Sequence, residues 1–95
     1  MIIERTARFR RAFKKLPAAD RDRIIQALRR FAADPAHPSL RVKRIQGTAE
    51  LWEARASQEL RFTFVRVEGG ISLSVPGRAN APLEAGRSTR RWGPI

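Results

Sequence analysis

Residues 40–67 read LRVKRIQGTAELWEARASQELRFTFVRV, and the fold turns on this stretch. Trp52, Ala54 and Ala56 share one parity, and Leu51, Glu53 and Arg55 share the other. Further on, Phe62 and Phe64 alternate with Arg61, Thr63 and Val65. A period of two marks strands packed on one face and open on the other. The pattern predicts strands over Leu40–Ile45, Leu51–Ala56 and Leu60–Val67, with the aromatic parity turned toward helices. Arg55 and Arg61 then lie together on the open face. A guanidinium is permanently charged and forks onto two oxygens, so such a pair suits a phosphate group.

Working outward, Glu68-Gly69-Gly70 is a tight turn leading into a further strand over Ile71–Val75. Ile71, Leu73 and Val75 are expected inward and Ser72 and Ser74 outward. Upstream, Ile2–Arg5 reads as a short strand and Thr6 as an N-cap. A helix over Ala7–Leu16 carries Phe9, Ala12, Phe13 and Leu16 at helical spacing, with Arg8, Arg11 and Lys15 on another face. Pro17 ends it and opens the next helix, Ala18–Ala33. That helix has its stripe at Ile24, Leu28 and Phe31, with Ile25 and Ala32 beside it. Asp20 and Asp22 in its first turn and Arg29 and Arg30 in its last complement the helix dipole. Asp34-Pro35 stops it. The order β-α-α-β-β-β-β predicts an α+β domain, a helical hairpin packed on one face of a twisted antiparallel sheet.

The pattern runs from residue 1 to 76. From Gly77 the composition turns to Gly, Pro and Arg without an apolar period, so residues 77–95 are expected to form a flexible C-terminal tail. With 95 residues the chain has room for one domain and one core.

The absence of cysteine excludes disulfides and thiolate metal sites, and a single histidine, His37, argues against a histidine-based one. No cofactor is implied. No apolar run has the length of a membrane span, which predicts a soluble, cytoplasmic protein with no membrane partner. Lys and Arg number 20 against 9 Asp and Glu, a net charge of +11. Such a surplus calls for a polyanionic partner: nucleic acid first, an acidic protein second. Solvated basic surface is the plain alternative.

On the open face the sequence collects Glu53, Arg55, Arg61, Thr63, Ser72 and Ser74, with Lys43 and Arg41 or Arg44 from the strand before and Arg78 after the last one. Metal-independent RNA cleavage needs an in-line 2′-OH, a base, cations for the charge gathering on the phosphate, and an acid for the leaving oxygen. Arginine supplies the third of these, and Glu53 is the groove carboxylate that could serve as base. Cross-strand ion pairing of Glu53 with Arg61 and Lys43 is the competing structural role.

The run HPSLRVKRIQGT…LWEAR…LRFTFV resembles the RelE/ParE superfamily, the toxins of bacterial type II toxin–antitoxin pairs. The carriers of the resemblance are a basic strand, a Gly turn, an aromatic-x-x-Arg strand and an Arg-aromatic-x-aromatic strand, in order. It implies a ribosome-dependent mRNA endonuclease with a small acidic or amphipathic antitoxin as partner in a hetero-oligomer, and the ribosome and mRNA as targets. By position Arg61 matches the phosphate-binding arginine, Arg55 a second catalytic cation, Lys43 or Arg44 a basic residue of the preceding strand, and Arg78 a late cation. Arg41, Lys43, Arg44, Arg8, Arg11 and Lys15 are the expected RNA-binding set. Ala79 stands where many members carry histidine, Asn80 where they carry aspartate, and the chain has no tyrosine. The acid–base set is incomplete, so a ParE-like inhibitor of DNA gyrase and an inactive antitoxin-binding module stay open.

Overall fold

The computed structural model describes residues 1–47 and 50–78. In chain order they form β1 (Ile2–Arg5), α1 (Ala7–Lys14), α2 (Ala18–Ala33), a 3-10 turn (Pro38–Leu40), β2 (Lys43–Arg44), β3 (Leu51–Arg55), β4 (Leu60–Val67) and β5 (Gly70–Arg78). The five strands make one sheet in the order β1-β5-β4-β3-β2. β2 to β5 form the expected antiparallel meander. β1 pairs in parallel with β5, so the sheet is mixed. The parallel pair follows from topology: the helical hairpin carries the chain to the far edge, and four strands bring it back beside β1.

Local chemistry fixes the helices. The Thr6 hydroxyl accepts from the Phe9 N–H at 3.1 Å and donates to the Leu73 carbonyl at 2.8 Å, capping α1 and tying its start to β5. α1 ends at Lys14, earlier than the apolar stripe predicts, because the residue before Pro17 is driven out of the helical region. Arg21 of α2 donates to the carbonyls of Leu16 (3.0 Å) and Lys14 (3.4 Å), so the second helix closes the end of the first.

The core lies between the helices and the Trp52/Phe62/Phe64 face, as the alternation predicts. Phe9 of α1 and Ile24, Ala27 and Phe31 of α2 meet Ala54, Leu60, Phe62, Phe64, Ile71 and Leu73 of the sheet. Phe31 stands edge-on to Phe64 with centroids 5.2 Å apart, and to Phe62 at 6.5 Å. Each fully buried Phe contributes about 1.5–3 kcal/mol through area alone. Ala27, not Ile25 or Ala32, completes the buried stripe of α2; Ile25 is exposed. Among the described residues no helix is long and apolar enough to cross a membrane.

The expected strand over Leu40–Ile45 shrinks to Lys43–Arg44. Pro38 starts a 3-10 turn, His37 Nδ1 caps the Ser39 N–H at 3.2 Å, and Leu40 is drawn wholly into the core. Arg41 then takes φ 45°, an uncommon left-handed conformation for a side-chain-bearing residue. At the β4–β5 turn, Gly69 has φ 80°, and a Cβ on Gly70 would run into the Ile2 backbone, so β1 closes onto β5 only over a bare glycine.

A register shift between Thr63 and Phe64 changes β5 most. Phe64 pairs with Leu73 but Thr63 pairs with Val75, which leaves Ser74 as the extra residue of a bulge. Val75 therefore shares the face of Thr63, not that of Ile71 and Leu73. Thr63 is fully buried: its hydroxyl accepts from the Val75 N–H at 3.1 Å and donates to the Val75 carbonyl at 3.3 Å. One side chain thus satisfies both polar groups of a residue displaced by the bulge. β5 runs to Arg78, two residues past the expected boundary, with Pro76 on a stretch β1 does not cover, where a missing N–H is tolerated. The remainder of the expected tail, residues 79–95, lies outside the described residues.

Thr63→Val is expected to strand the Val75 N–H and carbonyl and to lower the unfolding free energy by about 1–3 kcal/mol. Urea unfolding of this variant beside Thr63→Ser, which keeps the hydroxyl, checks it: serine should recover most of the loss.

Candidate functional site

The sheet register lays out the face away from the helices. Lys43 of β2 sits opposite Glu53 of β3, Glu53 opposite Thr63 of β4, and Thr63 opposite Val75 of β5. One step along, Arg55 pairs with Arg61 and Arg61 with Gly77. Directly paired residues project to the same side. Leu51, Thr63 and Val75 are buried on this side, so it is not uniformly polar. Its charged part is confined to the β2–β3–β4 quarter.

There Glu53 sits among cations with its side chain 12% exposed. Both of its oxygens accept from Nη1 of Arg61 at 3.2 Å, and Lys43 Nζ stands 3.8 Å from Oε1. The structural role foreseen for Glu53, a cross-strand pair with Arg61 and Lys43, is present in the geometry. Lys43 is two-thirds exposed, so its share is a weak, screened contact. The Arg61 pair is the better shielded one. Nε of Arg61 is buried with no hydrogen-bond partner.

Arg55 has no acidic partner among the described residues. With Arg41, Val42, Lys43 and Glu53 it lines an open depression of about 300 Å³. The left-handed turn at Arg41 brings that arginine to the rim. Arg41, Lys43 and Arg55 thus share the depression with Glu53, and Arg61 pairs with that carboxylate from β4. The arrangement can attract and orient an anion in this depression and, through arginine, grip two oxygens of it. Among the described residues no three His, Cys, Asp or Glu side chains come together as a metal site.

Other expected members lie elsewhere. Arg44 pairs with Trp52 and so belongs to the opposite, helix-side face. Arg78 pairs with Leu60, a core position, and turns toward α2, where Nη2 holds Asp20 at 2.9 and 3.1 Å while Nη1 reaches Glu59 at 3.2 Å. It is a strut between the end of β5 and the start of α2 and does not join the groove. Thr63 is occupied by the bulge. Arg8, Arg11 and Lys15 are exposed on α1, across the sheet from the depression, with no acidic partner among the described residues. They form a second basic surface. His37 caps the 3-10 turn.

Asp20 lies in the first turn of α2 as expected, and its burial is what sequence reasoning missed. Dipole complementarity accounts for its position but not for its 2% exposure. Its spacing carries the signal: Asp20, Ile24, Ala27 and Phe31 fall on one stripe, and a carboxylate on a core stripe requires a cation or donor as partner.

No family model and no curated protein matches the sequence. Solved structures match it closely in shape. A chain of the RelB–RelE antitoxin–toxin complex from Methanococcus jannaschii aligns with a TM-score of 0.67 at 15% identity, over 85% of this chain and 95% of that one. The fold is that of the RelE toxins. YafQ from E. coli aligns with a TM-score of 0.67 at 12% identity, over 86% of this chain and 97% of its own. The YoeB/ParE toxin from Agrobacterium tumefaciens gives 0.63 at 19% identity, over 82% and 96%. A RelE-like fold shared at such low identity fixes the architecture; the chemistry has to be argued from the groove.

Arg78→Ala is expected to leave Asp20 with only the exposed Arg23 and to cost about 1.5–3 kcal/mol of stability, as loss of a hydrogen bond to a charged group does. Arg55→Ala, which removes no partner, should change stability by less than about 0.5 kcal/mol. Thermal or urea unfolding of the two variants separates strut from groove cation.

Proposed function

We propose that this protein is the toxin of a type II toxin–antitoxin pair and acts as a ribosome-dependent mRNA endonuclease. The observation that carries this is the placement of Arg61 and Arg55 side by side on the face away from the helices, next to a depression rimmed by Arg41 and Lys43, in a RelE-like fold. The reaction that suits such a site is attack of a ribose 2′-oxygen on the adjacent phosphorus, with loss of the 2′ proton. The bond to the 5′-oxygen breaks and that oxygen takes up a proton. Negative charge grows on the non-bridging oxygens as the phosphorus becomes five-coordinate. Cations fixed there beforehand stabilise that state more than the ground state. Arg61, tied to the interior strand β4, is the best preorganised of them. Arg55 and the rim residues Arg41 and Lys43 gather the RNA backbone. The ribosome would hold the strand in line, which is the largest contribution a positively charged groove cannot make by itself.

The α1 surface, with Arg8, Arg11 and Lys15, supports a second contact to RNA backbone on the ribosome. Neutralisation by an acidic or amphipathic antitoxin follows from the same charge, because a +11 domain left free would bind polyanions indiscriminately.

One observation favours a second reading. The described part of the groove contains no histidine, and the chain contains no tyrosine. A gyrase-directed toxin, or a module that only binds its antitoxin, requires neither an acid nor a base.

Cleavage of mRNA on programmed ribosomes by wild type and Arg61→Ala tests the proposal. A loss on the order of 100-fold is expected for the variant, with the fold retained, and Arg61→Lys should recover only part of it. Equal cutting by both would remove the support Arg61 gives. Absence of cutting by wild type, with inhibition of gyrase supercoiling instead, would favour the second reading. RNA affinity should also fall steeply with salt, each lost phosphate contact flattening the log–log slope by roughly 0.7–0.9.

A further inference from the structure

Among the described residues Glu53 is the one acidic side chain of the groove, and its geometry is unusual for either an ordinary surface pair or a base. Both carboxylate oxygens accept from a single nitrogen, Arg61 Nη1. A fork-to-fork pair would engage two nitrogens of the guanidinium. Here Nη2 and Nε have no partner among the described residues, and Nε is buried as well. A buried donor without an acceptor is a cost the folded state retains, and it holds the Nε end of the guanidinium inside the sheet face, so Nη2 is the nitrogen left to meet an anion. Glu53, for its part, has its oxygens turned to Arg61 and Lys43, whereas a base for a 2′-OH needs an oxygen facing the substrate.

The mounting of the pair is rigid. Glu53 and Arg61 lie diagonally across the β3–β4 ladder, with Thr63 as the direct partner of Glu53 and Arg55 as that of Arg61. Thr63 is immobilised by its two bonds to Val75. A guanidinium held at one end by a carboxylate on such a frame has few orientations left to lose when it meets a phosphate.

We infer that Glu53 is a positioning residue: it grips Arg61 by Nη1 so that Nη2 is offered to a non-bridging phosphate oxygen, and it does not take the substrate proton. This rests on the nuclease reading above, and it assigns to Glu53 a role other than the base that the sequence offers. A phosphodiester oxygen of single-stranded RNA is the ligand, and Arg61 remains the residue that touches it.

Glu53→Gln keeps the shape of the side chain and removes its charge. On programmed ribosomes its kcat should fall at least about tenfold with KM changed less than about threefold, since the grip matters most when charge peaks on the phosphate. In an Arg61→Ala background the same substitution should do nothing further, because Glu53 acts through Arg61. The limbs of the pH–rate profile should stay where they are. An unchanged kcat, an equal further loss without Arg61, a faster variant, or loss of the acidic limb each overturns the inference while leaving the nuclease reading intact. If Glu53→Gln does not fold, Glu53→Asp, which keeps the charge and shortens the reach, should show the same fall in kcat.

If wild type cuts nothing, the nuclease reading fails by itself, and inorganic phosphate then decides the inference. The Arg61 Nε–H signal in a ¹⁵N NMR spectrum should move when phosphate is added to wild type, and by less than about half as much in Glu53→Gln. No movement in wild type, or equal movement in both, overturns it.

Discussion

β4 is the central strand, and its two faces carry incompatible requirements. Phe62 and Phe64 must be buried under Phe31, while Arg61 must keep its charge on the other side. Strict alternation lets one strand meet both, and a slip of one residue would bury the guanidinium and expose two aromatic rings. The two helices cover the aromatic side. What is left uncovered becomes the groove. Core and site are therefore two consequences of one register.

That register is pinned by polar contacts of different character. Thr63 is neutral and fully buried, and it replaces ladder bonds lost at the Ser74 bulge. Arg78 and Asp20 bring opposite charges together across 58 positions of sequence, closing the start of α2 onto the end of β5. Asp20 is buried and Arg78 is nearly half exposed, so the pair keeps part of its hydration and avoids the full desolvation cost of a wholly buried bridge. Both contacts lie behind or beside the groove. They make the frame stiff where the cations are mounted.

The charge itself is unevenly used. Arg78, Arg23 and Arg21 do structural work against Asp20 and helix carbonyls. Arg66 lies over the Trp52 ring at 4.5 Å, on the helix side of the sheet. Among the described residues, two groups of cations stand without such duties, one in the depression beside Glu53 and one on the outer face of α1, besides single cations such as Arg29 and Arg44. Net charge alone does not distinguish these populations, because structural and functional arginines count equally in it.

The sequence by itself determined the element order, the α+β class, the helix-facing parity of Trp52, Ala54, Phe62 and Phe64, and the presence of Arg55 and Arg61 together on the other face. These follow from periods of two and of 3.6, which depend only on local backbone geometry. It also left the pairing of Glu53 with Arg61 legible, as one of two roles. Tertiary structure alone decided the rest. A bulge adds one residue on one strand and so moved Val75 to the face of Thr63, which no periodicity can announce. The same bulge turned Arg78 to the face of Leu60, out of the groove, where it meets Asp20, a neighbour in space and not in sequence. Arg44 left it because a strand of two residues presents one side chain to each face. Side-chain direction within an element is written locally; the partner each charge finally meets depends on how distant segments are brought together.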